Sequence, residues 1–325
     1  MPLFSGDRIV NIFRNISEIS LDRPVATIGI FDGVHLAHKA IIDELKLRAY
    51  QVSGQTIIIT LWPHPRIVLN NDTDKVKLLN TMDEKIEHLK KAGVENLLIL
   101  PFDKNFASTG FEDFIREILV EKIGVSELVV GYNHQFGKNR EGNFTKLQVL
   151  SDRYGFNLVQ LNPVLIDNEK VSSSVIRKLL NRGNVALANK LLGYYYYIRG
   201  KVVSGYKVGR NIGYPTANLK VEDGDKLIPA NGVYAVLVRA NGSEYKGMMN
   251  IGFRPTLHNE NHLSVMEVHL FDYKGDLYRE ELKVRFIEWI RQEQKFESVD
   301  ELKKQITGDE EKARKILESA KMNYL

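Results

Sequence analysis

Short apolar runs alternate with helix-like stretches through the first half of the chain. Val25-Ala-Thr-Ile-Gly-Ile30, Gln55-Thr-Ile-Ile-Ile-Thr60, Asn96-Leu-Leu-Ile-Leu100 and Leu128-Val-Val-Gly-Tyr132 are brief and almost uniformly apolar, so each reads as a strand buried on both faces. Helical spacing starts near Leu36 and runs through Ile41, Ile42 and Leu45; it recurs from Asp83 to Lys91 and from Phe111 to Lys122. This rhythm predicts an α/β domain with a parallel sheet covered by helices on both faces. It changes near Gly193. Strand-like segments then dominate, at Gly232 to Val238, Met248 to Ile251, Val265 to Tyr273 and Leu282 to Ile287. Turn signals at Asn241-Gly242 and Lys274-Gly275-Asp276 separate them, so a small antiparallel sheet or barrel is expected. Two helices are expected to close the chain, about Ser298 to Ile306 and Asp309 to Met322. The boundary lies between Arg182 and Arg199, taken as domains 1–186 and 187–325.

Ligands of parallel α/β sheets sit at the carboxyl ends of the strands, and His35, His64 and Asn133 all follow predicted strands. Phe31-Asp32-Gly33 is a turn signal between a strand and a helix. His35 and His38 are three apart, so the first helical turn carries both rings on one face, where unpaired N–H groups favour a polyphosphate. A turn with two solvated or capping histidines fits the spacing equally well. Val171-Ser-Ser-Ser-Val-Ile-Arg177 is a second candidate anion cradle, with Ser172 to Ser174 at a helix start and Arg177 one turn in; a plain cap with a surface arginine is its bland alternative. Further on, strand alternation sends Met266, Val268 and Leu270 one way and Glu267 and His269 the other, so Glu267 is either a solvated residue or a base facing a pocket.

Composition narrows these choices. At 325 residues, 43% hydrophobic and 26% charged, the chain suits a globular protein of about two domains. A net charge of +4 and a pI near 8.9 fit an anionic small substrate and argue against nucleic acid as a partner. With no cysteine, disulfides and thiolate chemistry are excluded, and any metal takes oxygen or nitrogen ligands. Met1 to Arg8 has no signal-peptide core and no run of about 18 apolar residues occurs, so a cytoplasmic location without membrane contact is expected. The pattern fixes no oligomeric state.

Taken in order, the motifs resemble those of a known family. Gly29-Ile-Phe-Asp-Gly-Val-His-Leu-Ala-His38 is similar to the His-x-Gly-His signature of the nucleotidyltransferase superfamily, with Ala37 in the glycine position. Val171 to Arg177 is similar to its Ile-Ser-Ser-Thr-x-Ile-Arg motif, with Ser174 in the threonine position. Pro63-His-Pro65 and Gly131 to Gly142 look like motifs of the FAD synthetase half of prokaryotic bifunctional riboflavin kinase/FMN adenylyltransferases, with Asn133 where that family often has aspartate. Gly200 to Gly205, Gly209-Arg-Asn-Ile-Gly-Tyr-Pro-Thr-Ala-Asn218, Asn250 to Thr256 and Met266 to Asp272 resemble the riboflavin kinase half.

The resemblance implies a Rossmann-like nucleotidyltransferase domain and a riboflavin kinase barrel, acting on ATP, riboflavin and FMN with Mg²⁺. It implies that Glu267, His35, His38 and Arg177 are catalytic. Gly29, Phe31, Asp32, Gly33, Ser172, Ser173, Ser174, Gly205, Gly209, Arg210, Gly213 and Pro215 would meet ATP or its phosphates. His64, Pro65, Asn133, Phe136 and Arg254 would meet the flavin, and Thr216 and Asn218 the metal. A kinase with an impaired adenylyltransferase half, and a non-enzymatic flavin- or nucleotide-binding regulator, stay open as alternatives.

Overall fold

In the computed structural model, residues 10–69, 76–132, 142–204, 213–254 and 263–320 are described. The apolar runs become strands as their composition dictates. β2 (Val25–Ile28), β3 (Thr56–Trp62), β4 (Asn96–Pro101) and β5 (Glu127–Val130) are joined by two strands without an apolar signal, β1 (Asn11–Phe13) and β6 (Asn157–Gln160). All pair in parallel, in the order β1-β4-β3-β2-β5-β6. From β2 the chain winds outward through β3 to β4, then returns to the other side of β2 for β5 and β6. The order therefore reverses beside β2, and the crevice at the carboxyl ends of β2 and β5 is the place where such sheets hold ligands.

Helices cover both faces, as expected. Residues pointing alternately up and down the strands divide the core in two. Ala26, Ile28, Ile57 and Ile59 pack with Phe114, Ile115 and Leu119 of a helix that starts at Phe111–Asp113 (α5) and continues as a π-helical stretch, Phe114–Ile123. On that face they also meet Leu147 of α6 (Phe144–Tyr154). Val25, Ile58 and Leu97 pack with Ile42, Leu45 and Ala49 of α1 (Leu36–Gln51) and Leu89 of α3 (Met82–Lys91). Short helices α2 (Pro65–Leu69) and α4 (Lys104–Ala107) and a hairpin, β7 (Leu165–Ile166) with β8 (Glu169–Lys170), complete this unit.

The second unit is a closed antiparallel barrel. Its strands are β9 (Tyr197–Val203), β10 (Ala217–Lys220), β11 (Gly232–Ala240), β12 (Ser243–Arg254), β13 (Leu263–Leu270) and β14 (Glu281–Arg291), in the order β10-β13-β12-β11-β14-β9 with β9 closing on β10. Two helices precede it, α7 (Ser173–Leu180) and α8 (Val185–Leu192), and α9 (Val299–Ser319) follows. Ala235, Leu237, Met248 and Ile287 on the barrel's outer face bury Ala313 and Leu317 of α9.

One finding departs from the sequence reading. One continuous helix, α9, replaces the expected pair. Thr307-Gly308 reads as a break, yet Asp309 just beyond it is buried, accepting from Gln305 one turn earlier and from Arg291 of β14. Those ties hold a helical path through Gly308, whose propensity cost is only about 1 kcal/mol. By packing, the chain forms two compact units, Met1–Ser172 and Ser173–Leu325. α7 and α8 pack on each other, and Asn189 of α8 donates to Phe286 O and accepts from Tyr196 N, tying α8 to the barrel.

Candidate active sites

The turn after β2 is tightly wound. Phe31, Gly33 and Val34 have φ of 52°, 88° and 33°, a region that side-chain-bearing residues and above all a β-branched valine enter at a cost. Gly29 sits where an added Cβ would be 3.1 Å from the Phe31 ring. Asp32 is buried, and its two oxygens accept the backbone N–H groups of Leu79 at 3.0 and 3.2 Å and of Asn80 at 3.2 Å, pinning the turn to the segment that enters α3.

His35 is the N-cap of α1, its Nδ1 accepting the His38 N–H at 3.3 Å. An accepting Nδ1 places the proton of the neutral ring on Nε2, the nitrogen turned away from the cap. His38 stacks on His35 with ring centroids 3.6 Å apart and planes inclined by 12°, and Phe31 lies against its other side at 4.8 Å. Burial, with His35 and Lys85 nearby, holds the His38 imidazole well below its ordinary proton affinity, so it is neutral at pH 7. Among the described residues its buried Nδ1 has no hydrogen-bond partner. Ala37 lies in the first turn of α1 with helical backbone, so its methyl imposes no strain and its N–H is among the unpaired donors of the helix start.

His64, on the loop after β3, is buried and its Nδ1 accepts the Arg66 N–H at 3.0 Å; Pro65 opens α2. At the second predicted cradle, α7 starts at Ser173, leaving Ser172 just before the helix, Ser174 exposed and Arg177 half-buried one turn in.

On the barrel, β-pairing assembles what the sequence scatters. Glu267 of β13 lies opposite Asn218 of β10 and opposite Asn250 of β12, a row of carboxylate and amides across three strands. Met266 and Val268 are buried inside, as the alternation predicts, and Glu267 and His269 face out into a cavity of about 240 Å³. Thr216, Tyr214, Asn250, Arg291 and Glu293 also line it. The approach to β10 is strapped down, since Pro215 O lies 2.7 Å from His269 Nδ1 and Tyr214 Oη is 3.0 Å from Thr307 Oγ1 of α9. The far wall is rigid. Arg291 binds Asp309 through Nε at 3.0 and 2.9 Å and through Nη2 at 2.8 Å. The carboxylate of Glu293 fills the space where Gly252 lacks a side chain.

Among the described residues no group of three acidic or histidine side chains is arranged to grip a metal alone. The Thr216 hydroxyl and Asn218 amide are instead the sparse oxygen set that suits Mg²⁺, which keeps several waters and is held largely by substrate phosphates. Gly213, with φ of 88°, precedes this strap. Asn133, Phe136, Gly205, Gly209 and Arg210 lie outside the described residues, and Arg254 is placed by its backbone alone, opposite Leu263. Sequence reasoning missed Tyr214, Arg291, Glu293 and Asp309, which reach the cavity through the strap, the end of β14 and α9. It also missed Lys85, hidden in a charged helix.

The comparisons with known proteins fall on both units. A riboflavin kinase family model matches residues 192–317 and an FAD synthetase model residues 18–175. The bifunctional riboflavin kinase/FMN adenylyltransferase of Listeria monocytogenes is 38% identical over 89% of this chain and 91% of its own length. The enzyme of that name from Escherichia coli is 36% identical over 94% and 97%. A crystal structure from Streptococcus pneumoniae, described as a macrolide-efflux protein, matches with a TM-score of 0.85 and 31% identity over 94% of this chain and 99% of its own. Among the described residues here, no helix is long and apolar enough to cross a membrane. With both family models matched and relatives aligned over nearly their whole lengths, the chain belongs to the bifunctional riboflavin kinase/FMN adenylyltransferase family.

Proposed function

We propose that this chain makes FAD from riboflavin in two ATP-dependent steps, with residues 187–325 as the riboflavin kinase and residues 1–186 as the FMN adenylyltransferase. The observation that carries the first step is the placement of Glu267, facing a cavity with Asn218 and Asn250 beside it across the strands. Glu267 accepts the proton of the terminal ribityl hydroxyl as that oxygen attacks the γ-phosphorus of ATP, and ADP leaves. Thr216 and Asn218 are assigned to Mg²⁺, which supplies charge neutralisation at the phosphates. His269, bonded to Pro215 O, holds the strap that carries Thr216. Arg291 and Asp309 keep the opposite wall fixed, so the geometry does not have to be organised during the reaction.

In the second step a phosphate oxygen of FMN attacks the α-phosphorus of another ATP, and pyrophosphate leaves. No protein nucleophile takes part. The His35 ring, the neutral ring of His38 and the free N–H groups at the start of α1 offer hydrogen bonds to the charge that builds on the phosphates. Gly29, Phe31, Asp32 and Gly33 shape that turn. His64 and Pro65 are assigned to the flavin, and the hydroxyls of Ser172, Ser173 and Ser174 with Arg177 to phosphate binding. Since both steps consume ATP, we place the protein in the cytoplasm.

The test is direct. Purified protein with riboflavin, ATP and Mg²⁺ yields FMN and FAD, resolved by chromatography. Glu267→Gln lowers FMN formation at least ~100-fold, the scale of losing one group that acts in the transition state, yet still converts supplied FMN to FAD. Wild-type protein that forms neither flavin nucleotide refutes the proposal.

A further inference from the structure

Lys85 lies in α3, and only 2% of it is exposed. Among the described residues its Nζ forms no ion pair within 4.0 Å and donates no hydrogen bond. Its nearest favourable contact is the face of Trp62 at the end of β3, 5.5 Å from the ring centroid. Asp32 is close enough to act on it electrostatically, but both oxygens of that carboxylate accept backbone N–H groups of Leu79 and Asn80. His38 feels the ammonium from the other side. A buried cation without an acceptor is costly, and folded chains hold such groups where a ligand supplies the missing partner. The three neighbours Asp32, His38 and Trp62 locate it: all belong to segments at the carboxyl edge of the sheet, beside the crevice at β2.

We propose that Lys85 is a further phosphate-binding residue of the adenylyltransferase site, its ammonium taken up by the pyrophosphate portion of ATP and retained by the departing pyrophosphate. The inference rests on the adenylyltransferase reading given above. It assigns Lys85 to the pyrophosphate end of the substrate, leaving the flavin to other residues. As the bond between the α-phosphorus and the bridging oxygen breaks, negative charge accumulates on pyrophosphate, and a fixed cation that no carboxylate pairs with directly among the described residues stabilises that charge, against the weaker pull of Asp32. The titratable groups facing Lys85 are Asp32 from the turn and His38 from α1, with His35 stacked behind His38; Glu84 and His88 share its helix. Burial pushes the free ammonium down to about 8, and a bound phosphate opposes that loss of the proton.

The experiment is the reverse reaction, in which FAD and inorganic pyrophosphate give ATP and FMN, run on the full chain with Lys85→Met. The expected result is a KM for pyrophosphate raised about tenfold or more, with a matching rise for ATP in the forward direction. The KM for FAD and FMN stays unchanged, and Lys85→Arg recovers much of the pyrophosphate affinity while Lys85→Gln does not. Conversion of riboflavin to FMN serves as the internal control for an intact chain. If the methionine variant fails to fold, the arginine and glutamine variants decide the matter by the same ratio of pyrophosphate to flavin KM. An unchanged pyrophosphate KM, or pyrophosphate and flavin KM values that rise together, overturns the assignment of Lys85. Wild-type protein that forms no FAD from FMN and ATP overturns the functional reading instead.

Discussion

Lys85→Met should stabilise the unit that contains it, and by an amount that depends on pH. Burial lowers the ammonium from an ordinary 10.5 to about 8, which at ~1.36 kcal/mol per unit is a penalty of about 3 kcal/mol on the charged folded state. The methionine gives up the cation–π contact with Trp62, worth ~2 kcal/mol for a cation this desolvated, so the net gain at pH 7 is about 1 kcal/mol. Below pH 8 the lysine is protonated in folded and unfolded chains alike, and the penalty is present in full. From pH 8 to 10.5 the unfolded chain holds a proton that the folded chain has lost, so wild-type stability climbs with pH and the advantage of methionine shrinks. Above 10.5 both forms are neutral and the penalty is gone. The chain has two tryptophans, so Trp289→Phe in both proteins leaves Trp62 as the reporter of its own unit. Urea unfolding followed by that fluorescence at several values from pH 7 to 10.5 gives the difference directly. A variant less stable than wild type at pH 7, or a gain that does not fall with pH, refutes the picture of an unpartnered buried ammonium.

Three other outcomes follow from the same geometry. Ala37→Gly should not accelerate FAD formation from FMN and ATP, because Ala37 has helical backbone, and melting should show a loss of up to ~1 kcal/mol from the flexible residue; a faster enzyme would mean the methyl obstructs phosphate. Asp309→Ala leaves Arg291 half-buried without its carboxylate, so the barrel unit should lose about 3–5 kcal/mol and the riboflavin kinase reaction should weaken, read by Trp289 fluorescence and by FMN formation. Gly308→Ala should add ~0.5–1 kcal/mol in thermal unfolding with FMN formation unchanged, since a Cβ there meets nothing within 4 Å inside a regular helix.

What the sequence revealed and what it hid follow from how each site is built. The turn that bears His35 and His38 is one continuous segment. Its strand, its positive-φ turn and its helix start all have local signatures, so the three-residue spacing alone puts the two rings on one face, where they stack. The sheet core was legible for the same reason, whereas β1 and β6, at the two edges and largely exposed, offered no apolar run to read. Glu267 is the intermediate case. Alternation alone gave its direction, but its amide neighbours come from β10 and β12, and only strand register brings them opposite it. Arg291 with Asp309 is harder, because the pair needs a helix to run on through Gly308, where local propensity argues for a stop and a buried tertiary tie prevails. Lys85 is the limiting case. Within Asp83-Glu-Lys-Ile-Glu-His-Leu-Lys-Lys91 it looks like one more solvated charge, and nothing short of the packing of α3 against the turn after β2 shows that it is buried. The candidate phosphate-binding residues legible in the sequence are thus those carried by a single local motif, and the cation proposed for pyrophosphate is one that tertiary packing alone delivers.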